Sequence, residues 1–215
     1  MSSYLFPEGF LWGSSTSAWQ VEGGRIDNEY RQLHRQGLIA GGGDPEQAAG
    51  FWTRYEGDIG LMRRMHHRSF RMSIEWARVE PEEGRFDGEA IRHYRGIVET
   101  VVKAGILPVV DLHHHSNPLW VCRDGGWMNP RIVPRLQRYA GRMAEALGDL
   151  VGVWLTINEP TIWAAEAYFT GELPPHAKSP WKFFRCLDLL AKAHAVLYET
   201  LNEVHARRAW PKPLV

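Results

Sequence analysis

Ile106-Leu-Pro-Val-Val-Asp-Leu112 is an apolar, β-branched run between Gly105 and the triplet His113-His114-His115. A run of this kind, without polar alternation, reads as a fully buried strand of a parallel sheet. Its flanks read as helices. Upstream, Asp87 caps a helix carrying Ile91, Tyr94, Val98 and Val101 on one side, and Gly105 ends it. Downstream, Asn129-Pro130 reads as an N-cap with proline at the first helical position. The stripe Val133, Leu136, Ala140, Met143 and Leu147 follows, and Gly148 stops it.

The alternation continues outward. Phe10 to Ser14 reads as a first strand, and Phe51 to Met65 as a helix with Trp52, Tyr55, Ile59 and Met62 on one face. Ser69 to Ile74 is a second strand and Val151 to Ile157 a fourth. Ser179-Pro180 opens a last helix striped by Phe184, Leu187, Leu190, His194, Leu197, Leu201 and Val204. Glycines from Gly23 to Gly50 predict a long loop holding a short helix near Tyr30 to Gln36. Strand, helix, strand, helix is the pattern of parallel βαβ units. Residues 1–215 form one domain of four such units, with a fifth strand due at Pro211 to Val215. An open doubly wound sheet could close at that point. An eight-stranded barrel, typically about 250 residues, could not.

Composition removes whole classes of function. The 215 residues are 44% hydrophobic and 23% charged, the balance of a globular protein. Lys plus Arg equals Asp plus Glu at 25 each, so no net field draws nucleic acid or anionic membrane. No apolar stretch nears the roughly 20 residues that cross a bilayer. Met-Ser-Ser-Tyr-Leu-Phe-Pro-Glu shows no export signal, so a cytoplasmic protein is expected, with Cys122 and Cys186 as free thiols. Ten tryptophans are many for this length. Indoles fill cores, but they also suit flat amphipathic ligands such as sugars.

Barrel chemistry stands at the C-terminal ends of strands. Those ends carry Gln20 and Glu22, Glu75 and Trp76, His113-His114-His115, and Asn158-Glu159-Pro160. Amides, carboxylates and imidazoles beside indoles can hydrogen-bond vicinal hydroxyls while a ring stacks on a sugar. Glu159 also reads as a helix-start carboxylate before a first-turn proline. Arg71 lies in the middle of strand two, where a guanidinium must meet a carboxylate, either Glu75 or an acid from elsewhere. His113 and His115, which share a strand face, could hold a metal, but no third and fourth ligand is evident, and neither metal nor cofactor is expected.

Taken together, these segments resemble the N-terminal half of glycoside hydrolase family 1, the family of β-glucosidases. The resemblance rests on Phe10-Leu-Trp-Gly-Ser-Ser-Thr-Ser-Ala-Trp-Gln-Val-Glu-Gly23, Asp58-Ile-Gly-Leu-Met, and Phe70-Arg-Met-Ser-Ile-Glu-Trp-Ala-Arg78. Pro108-Val-Val-Asp-Leu-His-His114, Gly126-Trp-Met-Asn129, Thr156-Ile-Asn-Glu-Pro160 and Gly171-Glu-Leu-Pro-Pro175 follow in the same order. It implies an α/β fold: an incomplete TIM-type (β/α)8 barrel of about the first four βα units. It also implies a retaining β-glycosidase acting on terminal β-linked sugars. Glu159 would be the general acid/base, with the raised pKa that role needs. Asn158 would hold the sugar 2-hydroxyl, Gln20 and His114 hydroxyls on the far side of the ring, and Arg71 would lie beside the nucleophile.

The sequence also departs from the family. The nucleophile of such enzymes sits in a Thr-Glu-Asn-Gly motif late in the barrel, and the 215 residues contain none. His115 stands where Trp or Phe is usual, and His176 replaces a common Gly. Half a barrel leaves unpaired strand edges and an open apolar interior. At ~25 cal/mol per Å², several hundred exposed Å² costs on the order of 10 kcal/mol, so self-association or a complementary half-barrel is expected. Catalysis by these residues alone is not. The alternative reading is a non-catalytic sugar-binding or assembly protein that keeps Gln20, His114 and Asn158 as a partial subsite.

Overall fold

The computed structural model describes residues 5–38 and 43–215. In chain order the elements are β1 (Gly13–Ser15), α1 (Ala18–Val21), α2 (Glu29–Arg35), α3 (Phe51–Arg64), β2 (Ser69–Ser73), α4 (Trp76–Val79), α5 (Gly88–Lys103) and β3 (Leu107–Asp111). They continue with α6 (Leu119–Arg123), a 3-10 turn at Gly126–Met128, α7 (Ile132–Leu147), β4 (Val153–Leu155), α8 (Pro160–Ala164), a π-helical turn at Ala165–Thr170, and α9 (Pro180–Arg207). All four strands are parallel and neighbours in sequence are neighbours in space, β1-β2-β3-β4. A doubly wound sheet reverses its order at a switch point. This one does not, and it winds as a barrel wall does.

The register puts two unlike faces on the sheet. Phe70 pairs with Pro108 and Val110 with Trp154. With Met72 they point toward the helices, and Phe70, Met72, Val110 and Trp154 are all buried. On the opposite face Arg71 pairs with Val109, and Val109 with Val153. These are only half-buried. The third strand is therefore covered on one face, not two as its composition predicts; the second face lines the concave side where barrel chemistry sits.

Local chemistry explains most helix boundaries. Asp87 Oδ1 accepts the backbone N–H of Glu89 and Ala90 at 2.8 and 3.0 Å, capping α5. Gly105 leaves that helix at φ +75°, a conformation favoured only for glycine. Asn129 caps a turn just ahead of α7, accepting from Arg131 N, so the helix starts at Ile132 rather than at Pro130. Ser179 accepts from Lys182 N ahead of Pro180 and opens α9 as expected. The stripe predicted for α9 splits: Leu190, Leu197, Leu201 and Val204 are buried against α7, but Phe184 and His194 are exposed. The second set faces away from α7; Leu187 and His194 line a groove of about 520 Å³ with Thr156, Ile157, Leu190 and Ala191.

Both flanks of the sheet are unfinished. Leu214 forms a parallel bridge to Val153, donating to Gly152 O and accepting from Trp154 N at 2.8 Å. A fifth strand thus begins where the sequence places it. At the other flank the first strand is shorter than predicted, because Phe10 and Trp12 pack with Phe6 as an exposed aromatic trio ahead of β1. Gly13 lets β1 approach β2: a Cβ there would lie inside contact distance of the Ser69 carbonyl. Gly13→Ala is expected to cost about 1–3 kcal/mol, read as a lower urea midpoint with unchanged slope. The cysteines are free, as expected.

Candidate active site

Three strand ends converge on one amide. Arg71 from β2 donates through Nη2 to Asn158 Oδ1 at 2.9 Å, beyond β4. Asn158 Nδ2 lies 3.2 Å from His114 Nε2 and 3.3 Å from His115 Nε2, both beyond β3. The carboxylate that Arg71 requires is Asp111 at the end of β3, 3.8 Å away. Glu75 is not that partner. β2 ends at Ser73, so Glu75 turns beneath the sheet end and is buried against Asn28 and Ser116. Arg71 is 30% exposed and Asp111 fully buried, so the pair is anchored from below and open above. Arg71 Nε is buried without an acceptor among the described residues.

Glu159 stands next to this cluster in an unusual backbone state. Pro160 disfavours right-handed helical geometry in the residue before it. Glu159 adopts φ +42°, ψ +51° instead, the left-handed region, while Asn158 N is tied to His113 O at 2.9 Å. Strain of this kind in a residue other than glycine clusters at functional sites. The side chain is exposed and has no hydrogen bond among the described residues. Glu159 is thus the N-cap residue of α8 by position, but its carboxylate does no capping. Trp163, one turn along, is buried and stacks on His115 at 29°.

Gln20 makes no hydrogen bond to this cluster among the described residues. It lies on α1, exposed, accepts from Ser17 Oγ, and borders a shallow depression with Trp19, Asp44 and Gln47. Glu22 is buried: Tyr94 Oη donates to it at 2.7 Å and Arg78 Nε at 3.0 Å. Burial pushes Glu22 up to about 7 against the pull of Arg78. Neither Glu22 nor Glu75 reaches the open face. The two histidines weighed as metal ligands diverge. The strand ends at Asp111, His115 turns at φ +69°, and His113 instead contacts Asn117 Oδ1 at 3.1 Å.

A second layer fixes these groups. Asn117 donates to both oxygens of half-buried Glu29 and accepts from Trp127 Nε1. Burial moves Glu29 up to about 8 and His113 and His115 down to about 4. A histidine near 6.5 in the unfolded chain and near 4 in the fold is protonated first in the unfolded state. Its contribution is intact above about pH 6.5 and shrinks by about 1.4 kcal/mol per unit as pH falls toward 4. Glu22 and Glu29 act oppositely, since their raised values favour the fold at low pH. The His113 part is therefore expected as a difference: His113→Gln narrows its stability gap to wild type as pH falls from 6.5 to 4.5. Urea titrations at each pH check this.

A parallel sheet wound in sequential order, with arginine, histidine, amide and carboxylate at the strand ends, defines the class: part of a (β/α)8-barrel wall. The sequence profile of glycosyl hydrolase family 1 matches residues 2–210, and the chain belongs to that family. Beta-glucosidase A from Thermotoga maritima is 30% identical over 94% of this chain and 47% of its own length. Beta-glucosidase 47 from Arabidopsis thaliana is 33% identical over 96% of this chain and 41% of its own. Among solved structures, the beta-glycosidase from Pyrococcus horikoshii superposes with TM-score 0.85 at 35% identity, covering 92% of this chain and 46% of that one. The Thermotoga maritima beta-glucosidase bound to cyclophellitol gives 0.87 at 30% identity, covering 93% and 47%. The chain spans about half the length of these relatives. Its fold is accordingly an incomplete (β/α)8 barrel. Among the described residues no helix is long and apolar enough to cross a membrane.

Proposed function

We propose that residues 1–215 supply the proton-donating half of a retaining β-glucosidase-like site. The observation that carries the reading is the Arg71–Asn158–His114 cluster beside an exposed, strained Glu159. Glu159 protonates the leaving oxygen, and a second carboxylate attacks the anomeric carbon from the opposite face. Glu159 then removes a proton from water as the glycosyl intermediate is hydrolysed. Asn158 and His114 hold hydroxyls of the sugar ring, and Gln20 joins them from α1. Arg71 keeps the attacking carboxylate ionised, and its unpaired Nε–H is the donor that carboxylate would meet.

The attacking carboxylate comes from a complementary half. Glu22 and Glu75, the nearby acids at the ends of β1 and β2, are buried and committed. The exposed apolar side chains Phe6 and Trp12 ahead of β1, Leu214 beside β4, and Ile162 and Phe184 on α8 and α9 fit the same conclusion. In sedimentation, the 215-residue polypeptide is expected to run as oligomers or aggregate. A monodisperse monomer that melts cooperatively would count against the need for a partner. For the function itself, residues 1–215 joined to strands five to eight of a relative should release the β-anomer of glucose first, as seen by proton NMR. Initial release of the α-anomer would overturn the retaining reading. The non-catalytic alternative gains only if the joined barrel binds gluconolactone and hydrolyses nothing.

A further inference from the structure

Asp111 lies outside every role assigned above except that of counter-ion to Arg71, yet its geometry does more. It is fully buried at the end of β3. One oxygen, Oδ1, faces the His113 backbone N–H at 3.3 Å. The other, Oδ2, lies 2.9 Å from His114 Nδ1 and 3.8 Å from Arg71 Nη2. A carboxylate can only accept, so His114 Nδ1 carries the proton. Arg71 Nη2, also 3.3 Å from His114 Nδ1, is a donor and cannot be served by it. Nε2 on the far side of the ring is therefore left with its lone pair, facing Asn158 Nδ2 at 3.2 Å. The amide has no freedom to flip. Its oxygen accepts from Arg71 and its two N–H groups point to the Nε2 atoms of His114 and His115.

We propose that Asp111 is a positioning residue for the sugar-binding cluster: it fixes His114 in the Nδ1–H form, so that Nε2 acts as an acceptor and Asn158 is held in one orientation. A hydroxyl entering the site donates its proton to His114 Nε2. It thereby frees an Asn158 N–H to reach a neighbouring sugar oxygen. The cluster thus selects an O–H donor at that point. Its use for sugar rests on the glycosidase reading; the ring's protonation pattern does not.

Solid-state proton–nitrogen NMR of the nitrogen-15-labelled 215-residue chain near pH 7 reads that pattern directly, in the oligomers expected above as well as in a monomer. The His114 signals are assigned by their loss in His114→Gln. Wild type is expected to show a protonated Nδ1 and an unprotonated Nε2. Asp111→Leu removes the acceptor and should replace that single form with the Nε2–H-rich mixture of an unanchored imidazole. Asp111→Asn keeps an acceptor oxygen and should retain Nδ1–H. An Nε2–H form in wild type, or an unchanged pattern in folded Asp111→Leu, overturns the proposal. If Asp111→Leu does not fold, the wild-type and Asp111→Asn spectra decide it. No sugar is present, so failure of the glycosidase reading would show elsewhere, as absent hydrolysis by the joined barrel.

Discussion

Aryl β-glucosides should survive incubation with the 215-residue chain alone, with turnover on the order of 10⁴–10⁶ below that of a barrel completed by strands five to eight. The magnitude follows from the chemistry. A retaining hydrolase divides one difficult displacement into two steps through a covalent intermediate. Loss of the attacking group removes that path altogether, and in enzymes whose groups act as a unit such losses reach about 10⁶. On the reading proposed above, only binding and proton donation remain. Glu22 and Glu75 cannot restore the path, because both are buried and bound to Arg78, Tyr94, Ser116 and Asn28. Release of nitrophenol is the assay. Turnover by the chain alone near that of the completed barrel, and sensitive to Glu159→Gln, would show that a local acid attacks.

In the completed barrel, Glu159→Gln should lower kcat by about 10²–10⁴ for a sugar with a poor leaving group. The loss should be much smaller for a dinitrophenyl leaving group, which departs with little protonation. Gln keeps the size and hydrogen-bonding reach of Glu but cannot give up a proton. The exposed, unbonded carboxylate at φ +42° predicts little effect on stability, because nothing in the fold depends on that side chain. An equal loss with both leaving groups would remove Glu159 from the role of acid. A large drop in Tm would point to a structural role instead.

The fold was largely legible because each βα unit carries its own punctuation. Asp87 and Gly105 bracket α5, and the Val109-Val110 run marks β3, without help from distant residues. Local pattern fails where distant packing decides. Phe184 and His194 have the spacing of a core stripe, but both are exposed, and the groove that His194 lines with Pro160 and Thr161 of α8 is open. Periodicity shows that a face is apolar, not what covers it.

The site was legible in part for a similar reason. Arg71 announces itself, since an unneutralisable cation within a strand must find an anion. The same reasoning applies to Asp111, a carboxylate inside an apolar strand, and would have paired the two across β2 and β3. Sequence proximity alone offers Glu75, two residues past the strand's end, beside an acid from elsewhere and does not decide between them. Glu29 and Asn117 gave no local signal at all. Their contact spans 88 positions and depends on α2 folding back over the loop after β3.

The central claim is that Glu159 faces an attacking carboxylate across the sugar, above the Arg71–Asn158 pair. A crystal structure of residues 1–215 completed by the second half-barrel measures this as one distance. The account predicts carboxyl groups about 5–5.5 Å apart, with the second carboxylate accepting from Arg71. A separation of about 6.5–9.5 Å, the spacing of an inverting pair, or a Glu159 turned away from Arg71, would contradict it.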